Sequence, residues 1–463
     1  MHQRLGKLAQ RDVTLWTHRA AERWFATLGV VLTTLDLRGT APGVPPDLPR
    51  PEQAGDGPIT VVREILAAVR ERGDEALREL TKRFDGVELG ELRVPASEIV
   101  AAPGLLDAEL VASLGTAAAA IEAFHRHGRT RPKTFRDDGM RIDERLVPVD
   151  RVGVYAPGGR ATYPSSVLMT AIPARVAGVG SIACCAPPGP DGAVPTPILA
   201  AAAIAGVDEV YRVGGAQAIA ALAYGTESIR RVDVVVGPGS NWVSLAEREV
   251  RGTVGVPAAF AGPSEVVVVA DDSAPVEWAA IDVVVQAEHG PDGFAWLVTW
   301  SETVAAAVSA AVGRLVAASP RRDETRAALE SGGYVVLVDG PEHAMAVVNA
   351  IAPEHLELMV ADAEALLALV RHAGAVFLGP FAPASFGDYL AGPSHVLPTS
   401  GTARFSSVLG TEDFLRRSHA IRFNERAARR VADDVARLAD AEGLPAHAES
   451  ARLRTGRPTW SAQ

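Results

Sequence analysis

Two cysteines among 463 residues leave no disulfide framework to build with. The chain therefore reads as a protein of a reducing, cytoplasmic compartment, held by its core rather than by cross-links. Cys184 and Cys185 are adjacent in an apolar run, and neighbours on a strand point to opposite faces, so they read as two separate core residues and not as a metal pair. Aromatics are scarce at 5%, whereas Ala, Val and Gly abound, a mixture suited to helices laid closely on parallel sheet. Positive charge is in deficit: 45 Lys and Arg against 56 Asp and Glu give a net charge of −11. Such a surface is not built to attract nucleic acid or an anionic membrane. Long apolar runs are missing too. The stretch from Trp24 to Leu32 is too short to span a bilayer and lacks a small-residue cleavage site, so no targeting segment is expected.

What remains is ordinary for a soluble globular enzyme, with 48% hydrophobic and 22% charged residues and a length that suggests more than one domain. Residues 1–33 read as an unstructured extension, and 34–58, rich in Pro and Gly, as a loose arm. Val62, Ile65, Leu66 and Val69 then fall at helical spacing, followed by Leu77, Leu80 and Phe84 behind the N-cap candidate Asp74. A longer helix carries Leu106, Leu110, Leu114, Ile121 and Phe124, and the polar stretch 128–145 suits an extended hairpin. From residue 151, short β-branched runs alternate with Ala-rich segments. Strands are predicted at 152–155, 181–185, 209–213 and 232–236, and in a second series at 265–270, 294–299, 333–338 and 375–378. Two such series predict two parallel sheets with helices on both faces, an α/β fold. Beyond about residue 405 the chain reads as a small, charged, helical tail.

Three Gly-rich turns follow predicted strands: Tyr155-Ala-Pro-Gly-Gly159, Val213-Gly-Gly-Ala-Gln217 and Val236-Gly-Pro-Gly239. Each suits either a tight turn or the crevice at strand ends where α/β sheets bind ligands, and none is the usual Gly-x-Gly-x-x-Gly fingerprint. Gln286-Ala-Glu-His289 ends a helix. Residues three apart share a helix face, so Gln286 and His289 form either a capped helix end or two ligands of one ion. Asp388 and His447 lie in loop-like contexts, and with that pair they would make an N/O-ligated set suited to zinc. Pro353-Glu-His-Leu356 offers a carboxylate and an imidazole side by side, a surface pair or the minimum for acid–base work near neutral pH. His395 stands in the turn-bounded loop Gly392-Pro-Ser-His-Val-Leu-Pro398.

Taken together, these segments resemble the histidinol dehydrogenase family from about residue 35 onward. The resemblance is carried by Arg151-Val-Gly-Val-Tyr-Ala-Pro-Gly-Gly-Arg160, Tyr163-Pro-Ser-Ser-Val-Leu-Met169, Gly214-Gly-Ala-Gln-Ala-Ile-Ala220 and Ala261-Gly-Pro-Ser-Glu265. Gln286-Ala-Glu-His289, Ala352-Pro-Glu-His-Leu356, Gly387-Asp388-Tyr389, His395-Val-Leu-Pro-Thr399 and Glu442-Gly-Leu-Pro-Ala-His447 follow in order. The resemblance implies zinc on Gln286, His289, Asp388 and His447, and a catalytic pair Glu354 and His355. It further implies substrate contacts from Ser264, His395 and Glu442, besides the ligands and His355, and NAD contacts from Tyr155, Gln217 and Ser240. Two departures stand out. Gly237-Pro-Gly-Ser-Asn241 moves the family's Asn one place on and leaves Ser240 at the cofactor position, and Ser394 stands where Asn commonly precedes the loop histidine.

The implied fold is two incomplete Rossmann-like domains: residues 59–154 with 266–404 as the catalytic, zinc-holding domain and 155–265 as the NAD-binding domain. The tail, 405–463, would be exchanged in a homodimer so that Glu442 and His447 complete the partner's site. The implied reaction is the four-electron oxidation of L-histidinol through L-histidinaldehyde to L-histidine, the last step of histidine biosynthesis. A paralogue acting on another small amino alcohol or polyol, or an inactive ligand-binding relative, would be expected to lose some of these residues.

Overall fold

The computed structural model describes residues 32–40, 48–49, 56–158, 161–257, 264–288, 290 and 293–460. The extension through residue 31, most of the arm and His289 lie outside the described residues. Numbered along the chain, the strands are β1 (Thr33–Asp36), β2 (Thr134–Asp137), β3 (Met140–Pro148), β4 (Arg151–Tyr155), β5 (Ser181–Ala186), β6 (Glu209–Arg212) and β7 (Val234–Val236). There follow β8 (Glu265–Ala270), β9 (Phe294–Thr299), β10 (Gly333–Leu337), β11 (His355–Met359), β12 (Ala375–Leu378) and β13 (Leu415–Phe423). The chain packs as two units, one of residues 1–51 with 263–384 and the other of 52–262 with 385–463.

The first unit is built on a six-stranded sheet ordered β1-β10-β9-β8-β11-β12, with every pair parallel. Helices cover both faces, so an inner strand can be apolar on both sides, as is Val266-Val-Val-Val269 of β8. Alternation divides them. Val266 and Val268 join the helices Val276–Ala287 and Glu302–Ala318 in one core, while Val267 and Val269 join the helix Pro341–Ile351 in the other. Thr33–Asp36, within what reads as extension and arm, is the edge strand, registered on β10.

The second unit holds a four-stranded parallel sheet ordered β6-β5-β4-β7. One face buries the helices Ala108–His127, Pro164–Ala177 and Thr196–Ala205, and the other buries Asp56–Arg72, Asp74–Asp85, Gly215–Tyr224 and Asn241–Val250. Cys184 belongs to the first core and Cys185 to the second, on opposite faces as alternation requires. The division differs from the expectation that groups 59–154 with 266–404. Val62, Leu66, Leu77 and Leu80 of the early helices pack with Ile219 and Leu222 on the four-stranded sheet instead.

The expectation of an all-helical tail is corrected. Leu415–Phe423 is a strand, antiparallel to β3 in a sheet ordered β13-β3-β2. Its Arg-rich sequence, Leu-Arg-Arg-Ser-His-Ala-Ile-Arg-Phe, follows the helical reading only until a partner is available. The β2–β3 hairpin supplies that partner, and ion pairs cross the ladder from Arg417 to Glu144 (2.9 Å) and from Arg422 to Asp143. Helices Glu425–Ala441 and Pro445–Leu453 then close the chain as a hairpin.

Candidate active site

The catalytic pair of the sequence reading sits where two central strands begin. Ser264 immediately precedes β8, Glu354 precedes β11 and His355 opens it. β8 and β11 are neighbours in register, with His355 opposite Val266. This places the three side chains together. Glu354 and His355 are both buried, at 7% and 5% exposure. Glu354 Oε2 accepts from Ser264 Oγ at 2.5 Å and from the Glu265 amide at 3.1 Å, so two donors hold one oxygen of the carboxylate. His355 Nδ1 lies 3.3 Å from the Glu265 carbonyl and 3.5 Å from Glu354 Oε2. A carbonyl only accepts, so Nδ1 carries the proton and Nε2 keeps the lone pair, the tautomer a general base needs. Phe377 of β12 stacks along the ring, 6.1 Å between centroids.

Gln286 joins the same group from the helix Val276–Ala287. Its placed Oε1 is 3.3 Å from Ser264 Oγ, while the other end of the amide is buried and meets no hydrogen-bond partner among the described residues. Ser264 has a single proton and gives it to Glu354. The Gln286 atom beside it therefore serves best as the NH₂ donor, the two ends of a side-chain amide being interchangeable by a flip. The buried end is then a carbonyl oxygen with unused lone pairs, a fit for a cation. Its intended companion His289 lies outside the described residues. Among the described residues no cluster of three His, Cys, Asp or Glu side chains forms a ligand set.

The sequence reading missed two neighbours of this group. Asp282 and Glu357, 8% and 1% exposed, are buried in the same layer. Asp282 is one helical turn before Gln286 and Glu357 two strand positions after His355, so periodicity alone could have found them.

In the second unit the Gly-rich turns gather at the carboxyl ends of the strands. The order β6-β5-β4-β7 switches direction between β4 and β7, the place where open α/β sheets hold ligands. Tyr155 ends β4 with its ring buried, and its hydroxyl accepts from the Gly215 amide at 3.0 Å, tying down the turn after β6. Gln217, also buried, lies in the first turn of the helix that follows. After β7, Gly237 adopts φ +143° with its α-carbon against β4, where a Cβ would come within 2.2 Å of the Tyr155 carbonyl oxygen. Only glycine fits there. Ser240 is the exposed N-cap residue of helix Asn241–Val250.

His395 and Asp388 also belong to the second unit. The His395 ring is held at both nitrogens, Nδ1 against the Asp388 carbonyl at 3.0 Å and Nε2 against Ser166 Oγ at 3.2 Å. Ser394 Oγ donates to the Met169 carbonyl at 3.0 Å and accepts from the Val396 amide at 3.2 Å, which fixes the loop. Glu442 and His447 are exposed on the terminal helical hairpin, Glu442 at the end of Glu425–Ala441 and His447 in the first turn of Pro445–Leu453.

Residues 48–455 match the family model described as histidinol dehydrogenase. The chain belongs to the histidinol dehydrogenase family. A histidinol dehydrogenase of Synechococcus sp. is 50% identical over 398 residues, 85% of this chain and 91% of that protein. One from Geobacillus kaustophilus is 49% identical over 394 residues, 85% and 93% of the two chains. The crystal structure of histidinol dehydrogenase from Elizabethkingia anophelis superposes with a TM-score of 0.86 at 32% identity, covering 92% of this chain and 98% of that one. Histidinol dehydrogenases are NAD-dependent oxidoreductases of histidine biosynthesis, and the resemblance read from the motifs, the α/β fold and the enzyme class all agree with these findings. The activity of this chain is the NAD-dependent oxidation of L-histidinol to L-histidine.

Proposed function

We propose that histidinol oxidation here runs on Glu354 and His355 as two separate proton carriers, beside a zinc ion held by Gln286, His289, Asp388 and His447. The observation that carries this reading is the convergence of Ser264, Gln286, Glu354 and His355 at the start of β8 and β11. Zinc, when bound, would orient the substrate through its amine and imidazole nitrogens. Tyr155, Gln217 and Ser240, at the carboxyl ends of β4, β6 and β7, would hold NAD, which would supply the hydride acceptor for each of the two oxidations. His355 Nε2 takes the hydroxyl proton as the alcohol becomes an aldehyde. Glu354, oriented by Ser264 and the Glu265 amide, then draws a proton from the water that adds to the aldehyde. The family resemblance adds Ser264, His395 and Glu442 as substrate contacts, and His395 would exchange the Ser166 hydroxyl for the substrate.

The zinc reading is tested with His289→Asn. One ligand of four is removed, so metal content and activity should fall together; full zinc occupancy in an inactive protein would count against ligation there.

A homodimer with exchanged tails completes the reading. It is supported by exposed apolar side chains on the terminal hairpin and just after it, Val435, Leu438, Leu444, Leu453 and Trp460, surface that a second copy would cover. His447→Ala and His355→Ala, each inactive, should then recover about a quarter of normal activity when refolded together. Half the dimers are mixed, and each mixed dimer holds one intact site. Inactive mixed dimers, confirmed by mass, would place His447 within its own chain's site.

A further inference from the structure

The layer between helix Val276–Ala287 and its sheet is mainly apolar, with a file of polar side chains running through it. The helix buries Ala279, Ala280, Val283, Val284 and Ala287 against Val266, Val268 and Met359. The same stripe carries Asp282 and Gln286, both buried. On β11, Leu356 and Leu358 enter the opposite core while Met359 enters the helix-side core, so His355 and Glu357 point toward the helix with it. The helix joins the parallel neighbours β8 and β9 and therefore runs back against them. From Gln286 to Asp282 is about 6 Å along the helix. From His355 to Glu357 is about 6.6 Å along the strand. The steps match, and the polar groups stack in two rungs: Gln286 with Ser264, Glu354 and His355 at the strand ends, and Asp282 with Glu357 one level deeper.

The deeper rung is closed. By the stripe of the helix and the alternation of β11, Asp282 and Glu357 face each other in one buried layer, near enough for the Asp282 charge to act on Glu357. Glu357 Oε1 also accepts from the Ala384 amide at 2.7 Å. Burial raises the pKa of Glu357, with the Asp282 charge adding to it, and burial raises that of Asp282 as well. Burial disfavours two charges here, and one proton shared between the carboxyl groups would remove one of them. Such a pair is a poor source of stability, since apolar residues of the same size do as well or better in a core. What it supplies is direction, because a hydrogen bond is met at one register and a methyl contact at many.

We propose that Asp282 and Glu357 are positioning residues of the active site, a hydrogen-bonded rung that reaches from helix Val276–Ala287, packed on β8 and β9, to the neighbouring strand β11 and so sets Gln286 and His355 relative to each other. This rests on Gln286 as a zinc ligand and His355 as a base. The test is the near-isosteric double variant Asp282→Leu/Glu357→Met, compared with Glu357→Gln, whose amide can still accept from Ala384 and donate to Asp282. In the double variant, Tm should hold or rise while zinc affinity, measured by chelator competition, and kcat with L-histidinol each fall tenfold or more. Glu357→Gln should stay within about threefold of the parent in both. Unchanged zinc affinity and kcat in a folded double variant would overturn the proposal. Should the double variant not fold, Asp282→Ala breaks the rung with less disturbance. The same split is expected there, and wild-type behaviour overturns the proposal equally. Gln286→Ala, assayed in parallel, separates the two readings: if it leaves zinc affinity intact, the ligand assignment fails, and the rung stands or falls on kcat alone.

Discussion

In the six-stranded sheet, polar side chains gather where β8 and β11 begin; in the four-stranded sheet, Gly-rich turns gather where β4, β6 and β7 end. The first site is made of side chains. Glu354 and His355 are aimed by Ser264 and by the main chain of Glu265, and the groups that matter are carboxylate, imidazole and hydroxyl. The second is made largely of main chain. Tyr155 is buried and spends its hydroxyl on the Gly215 amide, and Gly237 lets one turn lie against the end of β4. The difference teaches where each half is vulnerable. Removing a functional group should cripple the first and spare cofactor binding, whereas adding a methyl group should damage the second and spare the proton chemistry.

The largest effect is expected from His355→Asn. Without the base, alcohol oxidation should fall by about 10²–10⁴-fold, while NAD affinity, followed by titration, stays at the parent value. A large loss of NAD affinity would break the separation of the two sites. Gly237→Ala should do the reverse. A Cβ at 2.2 Å from the Tyr155 carbonyl oxygen cannot be accommodated without moving the turn. NAD should bind more weakly by tenfold or more, with about 1–3 kcal/mol lost from stability by chemical denaturation. Ser264→Ala removes one of two donors to Glu354 Oε2. A hydrogen bond to a charged group contributes about 1.5–3 kcal/mol, so kcat for aldehyde oxidation should drop by about ten- to a hundredfold, with NAD affinity unchanged.

The smallest effect is expected at the two cysteines. Burial pushes Cys184 up to about 12 and raises Cys185 as well, so neither presents a thiolate near neutral pH. Iodoacetamide at pH 8 should leave the native protein unlabelled and active, and should label both thiols after unfolding. Rapid native labelling with loss of activity would place one of them in a working site.

Much of this contrast was legible in the residues. The Val266–Val269 run, the Ala-rich helices and the turn glycines announce two parallel sheets, and the Glu354–His355 pair stands out beside Gln286. Other features depend on partners distant in the chain. The strand Leu415–Phe423 reads as a charged helical segment until the β2–β3 hairpin supplies acids opposite its arginines. The packing of 56–85 on the four-stranded sheet is decided by which core its leucines enter, and hydrophobic periodicity marks only that they are buried. At His395 the fixing partner of Nδ1 is the Asp388 carbonyl, a group every residue possesses and no motif can advertise. Asp282 and Glu357 lie between these cases. Their spacing from Gln286 and His355 was visible, but only the helix running back along β8, beside β11, brings the two acids to one layer.

The most direct measurement is the pair of half-reactions in Glu354→Gln, with L-histidinol supplied in one assay and L-histidinaldehyde in the other. The account predicts that aldehyde oxidation slows by about a hundredfold or more, because the carboxylate that activates water is gone. Alcohol oxidation should fall far less, because His355 keeps its proton-accepting nitrogen. Equal slowing of the two half-reactions would contradict the division of labour between Glu354 and His355.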